Sequence, residues 1–150
     1  MSEDKKHAYP GENATIDEML ELAKEYRAAA NELKDRGKKG KPITRAPSRL
    51  CAVHALELYL SAFLRHCGKS AKEIRGLQHN LEERRKLVRE NGLILKLNTE
   101  NHLVQLTEGR EYLVMRYGPE MTSKVTELNR LFATLDEVAK KVIAHVTAPT

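Results

Sequence analysis

The amino-acid sequence predicts an all-α protein, an antiparallel bundle of about five helices that forms one domain over residues 1–150. Three observations favour this class. Apolar residues recur at intervals of three and four, the period of a helix packed on one face. Two capping boxes mark helix starts. Glycine, proline and asparagine separate the periodic stretches, and the absence of tryptophan predicts a largely aliphatic core.

The first half of the chain predicts two helices joined by a basic loop. A polar tail, residues 1–14, precedes helix 1 at about 16–35, which a capping box begins. Residues 36–47 hold five cations, two glycines, two prolines and no acidic residue, which predicts a loop. This loop is either a solvated connector or an arm that contacts phosphates. Helix 2, about 48–67, is apolar nearly all round and should lie at the centre of the bundle.

The second half predicts three further helices. A second capping box begins helix 3, about 70–90, and Asn91-Gly92 ends it. Residues 93–117 are ambiguous: they form either one shorter helix from about 99 to 117 or a segment broken near Gly109. Helix 5 should run from about 120 to 147. Because its apolar stripe is long, part of it is free to pack on a second copy, and we expect a homodimer.

Composition narrows the compartment and the class of partner. The net charge of +5 permits a polyanionic partner without establishing one. No apolar run is long enough for a bilayer and the first residues lack the apolar stretch of a signal peptide, so we expect a cytoplasmic protein without membrane contact. His54 with Glu57, and His79 with Glu82 and Glu83, have a spacing compatible with metal binding but supply too few ligands. We therefore expect no metal and no other cofactor.

Helix 2 carries one thin polar stripe on its apolar surface. The stripe consists of His54, Glu57, Ser61 and Arg65. A carboxylate among apolar residues is costly unless it is paired, so Glu57 needs a partner. On helix 3, Arg75 and His79 are four residues apart and share a face. We expect His79 to hold helix 3 against helix 2 by a hydrogen bond to Glu57. In the alternative, His79 is a general base beside Arg75.

Further cations predict a positive surface formed by the basic loop and helix 3. The candidate anion-binding residues are Arg45, Arg49, Lys72, Arg84 and Arg85. Contacts to phosphates alone would give weak, salt-dependent binding without sequence preference.

A resemblance to HEPN domains covers about residues 44–118 and is carried by three stretches, AVHALELYLSAFLRHCGKS, LQHNL and EYLVMRYG. The family's helix 2 pattern of alanine, glutamate, an often basic position, alanine and leucine falls on Ala55, Glu57, Ser61, Ala62 and Leu64. The following His-Asp/Asn-Leu falls on His79-Asn80-Leu81, and the Arg-Tyr pair before the last helix falls on Arg116-Tyr117.

The resemblance implies a five-helix bundle, frequent dimerisation, and either nucleotide binding or RNA cleavage. Cleaving members carry an arginine, four to six residues and then a histidine late in the bundle. Here that spacing occurs at Arg49 and His54, at the start of helix 2. We therefore expect a non-catalytic member that binds a nucleotide, RNA or a protein partner such as a nucleotidyltransferase. The alternatives are a toxin–antitoxin-type interaction module and a metal-independent ribonuclease, in which His79 is the base and Arg75 or Arg116 holds the phosphate.

Overall fold

A computed structural model describes residues 8–149, and these residues form an all-helical bundle. Its helices are α1 (Ile16–Lys34), α2 (Ala46–His66), α3 (Ala71–Gly76), α4 (Leu81–Glu90), α5 (Leu97–Glu108), α6 (Glu111–Tyr117) and α7 (Leu128–Thr147). The all-α class is therefore confirmed, but the described part of the chain has seven α-helices where the sequence predicted five. Of the predicted tail, residues 1–7 lie outside the described residues.

Helix α2 is the centre of the bundle, as its apolar composition predicted. It packs most extensively on α1 and α7, and also contacts α4 and α6. The capping boxes are present as predicted: the Thr15 hydroxyl accepts from the Glu18 amide at 3.1 Å, and Ser70 accepts from Glu73 at 3.1 Å. The core is mainly aliphatic and includes Leu56, Leu60, Leu64, Leu103, Leu131 and Leu135, together with Tyr59 and Phe63.

The predicted helix 3 is wrong as a single element, because residues 77–80 leave the helix between α3 and α4. Gln78 adopts a left-handed conformation with φ +52°, which no helix continues through. Asn80 then starts α4, since its side chain accepts a hydrogen bond from the Glu83 amide at 2.9 Å. The predicted helix 4 is likewise the broken alternative, with Arg110 at φ +49° between α5 and α6.

The last helix begins at Leu128, later than the predicted residue 120. Residues Pro119–Met121 form a 3-10 turn, and the segment 122–127 is held to α6 instead of joining the helix. Its anchor is Thr126, whose amide and hydroxyl both donate to Glu111 Oε1 at 2.7 Å. The buried carboxylate of Glu111 thus accepts from the backbone and side-chain donors of Thr126, and this contact competes with a helical conformation of the segment.

The basic loop is shorter and more ordered than predicted. Pro42–Arg45 form a 3-10 turn and α2 begins at Ala46, with Pro47 in its first turn, where a missing amide hydrogen costs nothing. The Thr44 hydroxyl accepts from the Lys38 amide at 2.7 Å and donates to the Lys41 carbonyl at 2.6 Å. The loop is therefore a compact turn.

No helix among residues 8–149 combines the length and the apolar character that a bilayer span requires.

Candidate functional site

A cavity of about 430 Å³ is bordered by the segment that precedes α1, by α2 and α3, and by the turn between α3 and α4. We call it the arginine cavity, because its lining includes the guanidinium groups of Arg65, Arg75 and Arg84. Its other titratable lining residues include Glu12, Glu57 and His79. Three arginines against two carboxylates favour an anionic occupant.

His79 lies at the edge of the arginine cavity and forms the hydrogen bond that the sequence predicted. Its Nδ1 is 3.0 Å from Glu57 Oε2 and 3.1 Å from Glu57 Oε1. Because an ionised carboxylate only accepts, Nδ1 carries the proton and Nε2 is left for another partner. The ring is not enclosed between helices, since 48% of the side chain is exposed. The break at residues 77–80 places His79 in a turn, where the ring reaches solvent.

Glu57 also faces a buried arginine. Arg84 is 2% exposed, and its Nη2 lies 3.6 Å from Glu57 Oε1. The Arg84 Nε donates to the Ser61 hydroxyl at 3.1 Å, and Nη1 donates to the Asn80 carbonyl at 3.3 Å. Burial lowers the pKa of Arg84, and the Glu57 charge opposes that shift. Arg84 was predicted to bind anions. Its guanidinium group is instead held by protein groups, and it contributes positive charge to the lining of the arginine cavity.

Aromatic rings contact His79, Arg116 and Arg75. Tyr112 stacks on His79 with ring centroids 3.7 Å apart and 20° between the planes. Arg116 donates to the Tyr112 hydroxyl, and its guanidinium lies 4.9 Å from the ring centroid. Arg75 lies 4.3 Å over the ring of Tyr9. The two predicted candidates Arg75 and His79 therefore line one cavity, whereas Arg116 reaches His79 only through Tyr112.

The polar stripe of α2 divides between two surroundings. Glu57, Ser61 and Arg65 line the arginine cavity, and Arg65 Nη2 donates to the Ala14 carbonyl at 3.3 Å. His54 instead packs edge-on against Tyr26 of α1 with centroids 4.5 Å apart. Burial lowers the pKa of His54, while the charge of Glu57 opposes the shift.

The remaining cations predicted to bind anions have separate environments. Arg49 is 5% exposed, lies 3.4 Å from Glu111 and donates to the Thr126 carbonyl, so it is a buried structural charge. Arg85 lies 3.3 Å from Glu100, and Lys72 is exposed on α3. Arg45 lines a separate cavity of about 430 Å³ beside the start of α7.

A buried histidine at the centre of a polar network was not predicted from the sequence. His102 is 1% exposed, with Nδ1 2.8 Å from the Thr134 hydroxyl and Nε2 2.9 Å from the Thr126 hydroxyl. Burial, together with the charges of Arg130 and Arg49, lowers the pKa of His102 to about 4. Its partners are distant in sequence, so spacing could not reveal them.

A second depression of about 630 Å³ lies on the other side of the 77–80 turn. We call it the leucine groove, because Leu77, Leu106 and Leu113 line it. His79 lines the leucine groove as well as the arginine cavity, and Tyr112 lies at the groove's edge. The two spaces are therefore adjacent, and Gln78 and His79 line both of them.

Among residues 8–149, no three histidine, cysteine, aspartate or glutamate side chains are grouped closely enough to hold a metal ion. Comparison of the chain with protein-family models, with curated proteins and with solved structures gave no match.

Proposed function

We propose that the chain binds a phosphate-bearing ligand, a nucleotide or single-stranded RNA, in the arginine cavity. The observation that carries the proposal is the exposed imidazole of His79, oriented by Glu57 at the edge of a cavity lined by three arginines. Guanidinium groups bind phosphate oxygens with charge-assisted hydrogen bonds, and His79 can donate to one from Nε2 when both of its ring nitrogens carry a proton.

The aromatic surroundings favour a nucleotide or RNA over free phosphate. Tyr9 lies under Arg75, Tyr112 lies under His79, and Tyr117 is 68% exposed beside Arg116. Tyr9 is 57% exposed as well, and bases of single strands stack on exposed rings of this kind, which adds affinity that phosphate contacts alone do not supply.

The proposed kinship with HEPN domains is supported by how its motifs meet in space. Glu57, His79 and Arg116 come from the three stretches that carry the resemblance. They form one connected group through Tyr112. A homodimer, and a protein partner such as a nucleotidyltransferase, remain predictions of the same proposal.

Binding can be tested by fluorescence anisotropy with a labelled single-stranded RNA at increasing salt. Arg75→Ala should weaken binding by about tenfold, because one charge-assisted contact to phosphate is lost. Lys24→Ala is the matched control, since Lys24 is an exposed cation on α1 that lines neither the arginine cavity nor the leucine groove. Equal losses in the two variants would show diffuse attraction to the surface and would refute a site in the arginine cavity.

Metal-independent cleavage of RNA is a second candidate, favoured by the orientation of His79. Because Glu57 takes Nδ1–H, the basic Nε2 faces away from the carboxylate and is available to remove a proton from a ribose 2′-hydroxyl. The test is incubation of RNA with the protein and excess chelator. Cleavage that is lost in His79→Ala and kept in His66→Ala, an exposed histidine at the end of α2, would support it. An intact RNA would leave binding alone.

A further inference from the structure

The leucine groove adjoins the proposed phosphate site. We propose that it holds the heterocyclic base of the ligand whose phosphate occupies the arginine cavity. This inference rests on the proposed function and specifies its ligand as one that carries a base next to the phosphate. Its starting point is His79, which lines both spaces and lies between them. A ligand that contacts His79 through its phosphate therefore has the leucine groove within reach.

The chemistry of the leucine groove suits a planar, partly apolar ring. Leu106 is buried and forms part of the lining, and Leu113 is 44% exposed at the surface of α6. Covering Leu113 with a ring removes apolar surface from water, which is favourable. Gln78, Asn80 and Arg110, whose side chains carry amide and guanidinium groups, also line the groove. They are the donors and acceptors that base edges use.

The backbone of the groove provides an independent argument. Gln78 and Arg110 have φ of +52° and +49°, and both line the leucine groove. Within residues 8–149 they are the non-glycine residues in the left-handed region. Such conformations are costly for side chains with a Cβ and concentrate at ligand-binding sites, where the surrounding structure enforces them. The break between α3 and α4 and the break between α5 and α6 thus both border the leucine groove.

The experiment is displacement of a labelled single-stranded RNA by small competitors. AMP, CMP, GMP and UMP are compared with ribose 5-phosphate, which has the sugar and the phosphate but no base. We expect at least one nucleotide to displace the RNA at a concentration about tenfold or more below that of ribose 5-phosphate, because a bound base adds stacking and apolar contact.

Leu113→Asp locates the effect. A charge at the groove should remove most of the advantage of the nucleotide and leave displacement by ribose 5-phosphate unchanged. Leu22→Asp is the matched control, because Leu22 is 48% exposed on α1 and lines neither space. Circular dichroism checks that both variants keep their helices.

The outcomes separate this inference from the proposed function. RNA binding with no nucleotide superior to ribose 5-phosphate overturns the base site and leaves phosphate binding in place; the groove would then suit another occupant, such as an apolar side chain of a partner protein. Equal losses in Leu113→Asp and Leu22→Asp also overturn it. If labelled RNA does not bind at all, the proposed function fails and the base site fails with it.

Discussion

His79 Nδ1 lies within 3.1 Å of both carboxylate oxygens of Glu57, although the two residues are 22 positions apart and belong to different segments. The same carboxylate faces Arg84 at 3.6 Å. One anion therefore orients an exposed imidazole and also offsets a buried guanidinium. The structural and the functional interpretation of His79 are compatible, because the hydrogen bond to Glu57 uses Nδ1 and leaves Nε2 for another partner.

Truncation should affect the two partners of this pair unequally. Glu57→Ala should lower the free energy of unfolding by about 2–3 kcal/mol, because Arg84 is 2% exposed and would lose its opposite charge. His79→Ala should cost less than about 1 kcal/mol, since half of its side chain is in solvent. Urea denaturation measures both. A loss in His79→Ala equal to that in Glu57→Ala would contradict the division of roles.

Arg49 and Glu111 form a second pair, whose effect should be on stability. Both side chains are nearly buried, and Arg49 Nη1 lies 3.4 Å from Glu111 Oε2. Glu111→Ala should therefore lower the free energy of unfolding by about 3–5 kcal/mol, because it leaves the charge of Arg49 uncompensated. The double variant Arg49→Met with Glu111→Leu should lose less than the sum of its single variants. Strict additivity in the denaturation midpoints would refute the coupling. RNA affinity of the double variant should be unchanged, because the pair lies outside the arginine cavity.

The sequence predicted helix starts well where a local signal was sufficient. The boxes at Thr15 and Ser70 are contacts between residues three apart, so the pattern and the structure coincide. The prediction of a single helix 3 was wrong because Ile74, Leu77 and Leu81 keep a helical spacing across the break. Asn80, followed three positions later by Glu83, was the missed signal, since its side chain begins a helix inside an apparently continuous one.

The site was predictable only in part. The Glu57–His79 hydrogen bond followed from the need to pair a carboxylate on an apolar helix. Tyr112 and Tyr9, which stack beside His79 and Arg75, could not be placed, because stacking depends on where distant segments meet. The burial of Arg49 and Arg84 was missed for the same reason: a cation in a basic stretch gives no local sign that a carboxylate lies beyond it.

His102 should make the fold sensitive to acid. Its pKa is about 4 in the folded chain against 6.5 for an ordinary histidine, so the unfolded chain takes up the proton first as the pH falls. The stabilising effect is complete above pH 6.5 and is lost progressively as the pH falls to 4. The difference between the folded and the unfolded pKa of His102 corresponds to a loss of about 3 kcal/mol in the free energy of unfolding.

The matched variant is His102→Gln, compared with the unaltered chain by urea denaturation at several pH values. It should be less stable at pH 7.5, because hydrogen bonds to Thr126 and Thr134 are disturbed. Its free energy of unfolding should also fall less steeply between pH 6.5 and 4, because the titration of His102 is removed. Some fall should remain, since carboxylates elsewhere titrate in both proteins. Parallel pH profiles for the two chains would show that His102 does not resist protonation.

Gln78 should be a position where glycine improves stability. At φ +52° a residue with a Cβ is strained, and glycine removes that cost, so Gln78→Gly should raise the free energy of unfolding by up to about 1 kcal/mol. Gln105→Gly is the matched control, because Gln105 is an exposed glutamine within α5, where glycine should cost about 1 kcal/mol. Thermal and chemical denaturation measure the opposite signs. A comparable loss in both variants would mean that the turn before His79 stores no strain, and the argument from the two left-handed residues of the leucine groove would fall.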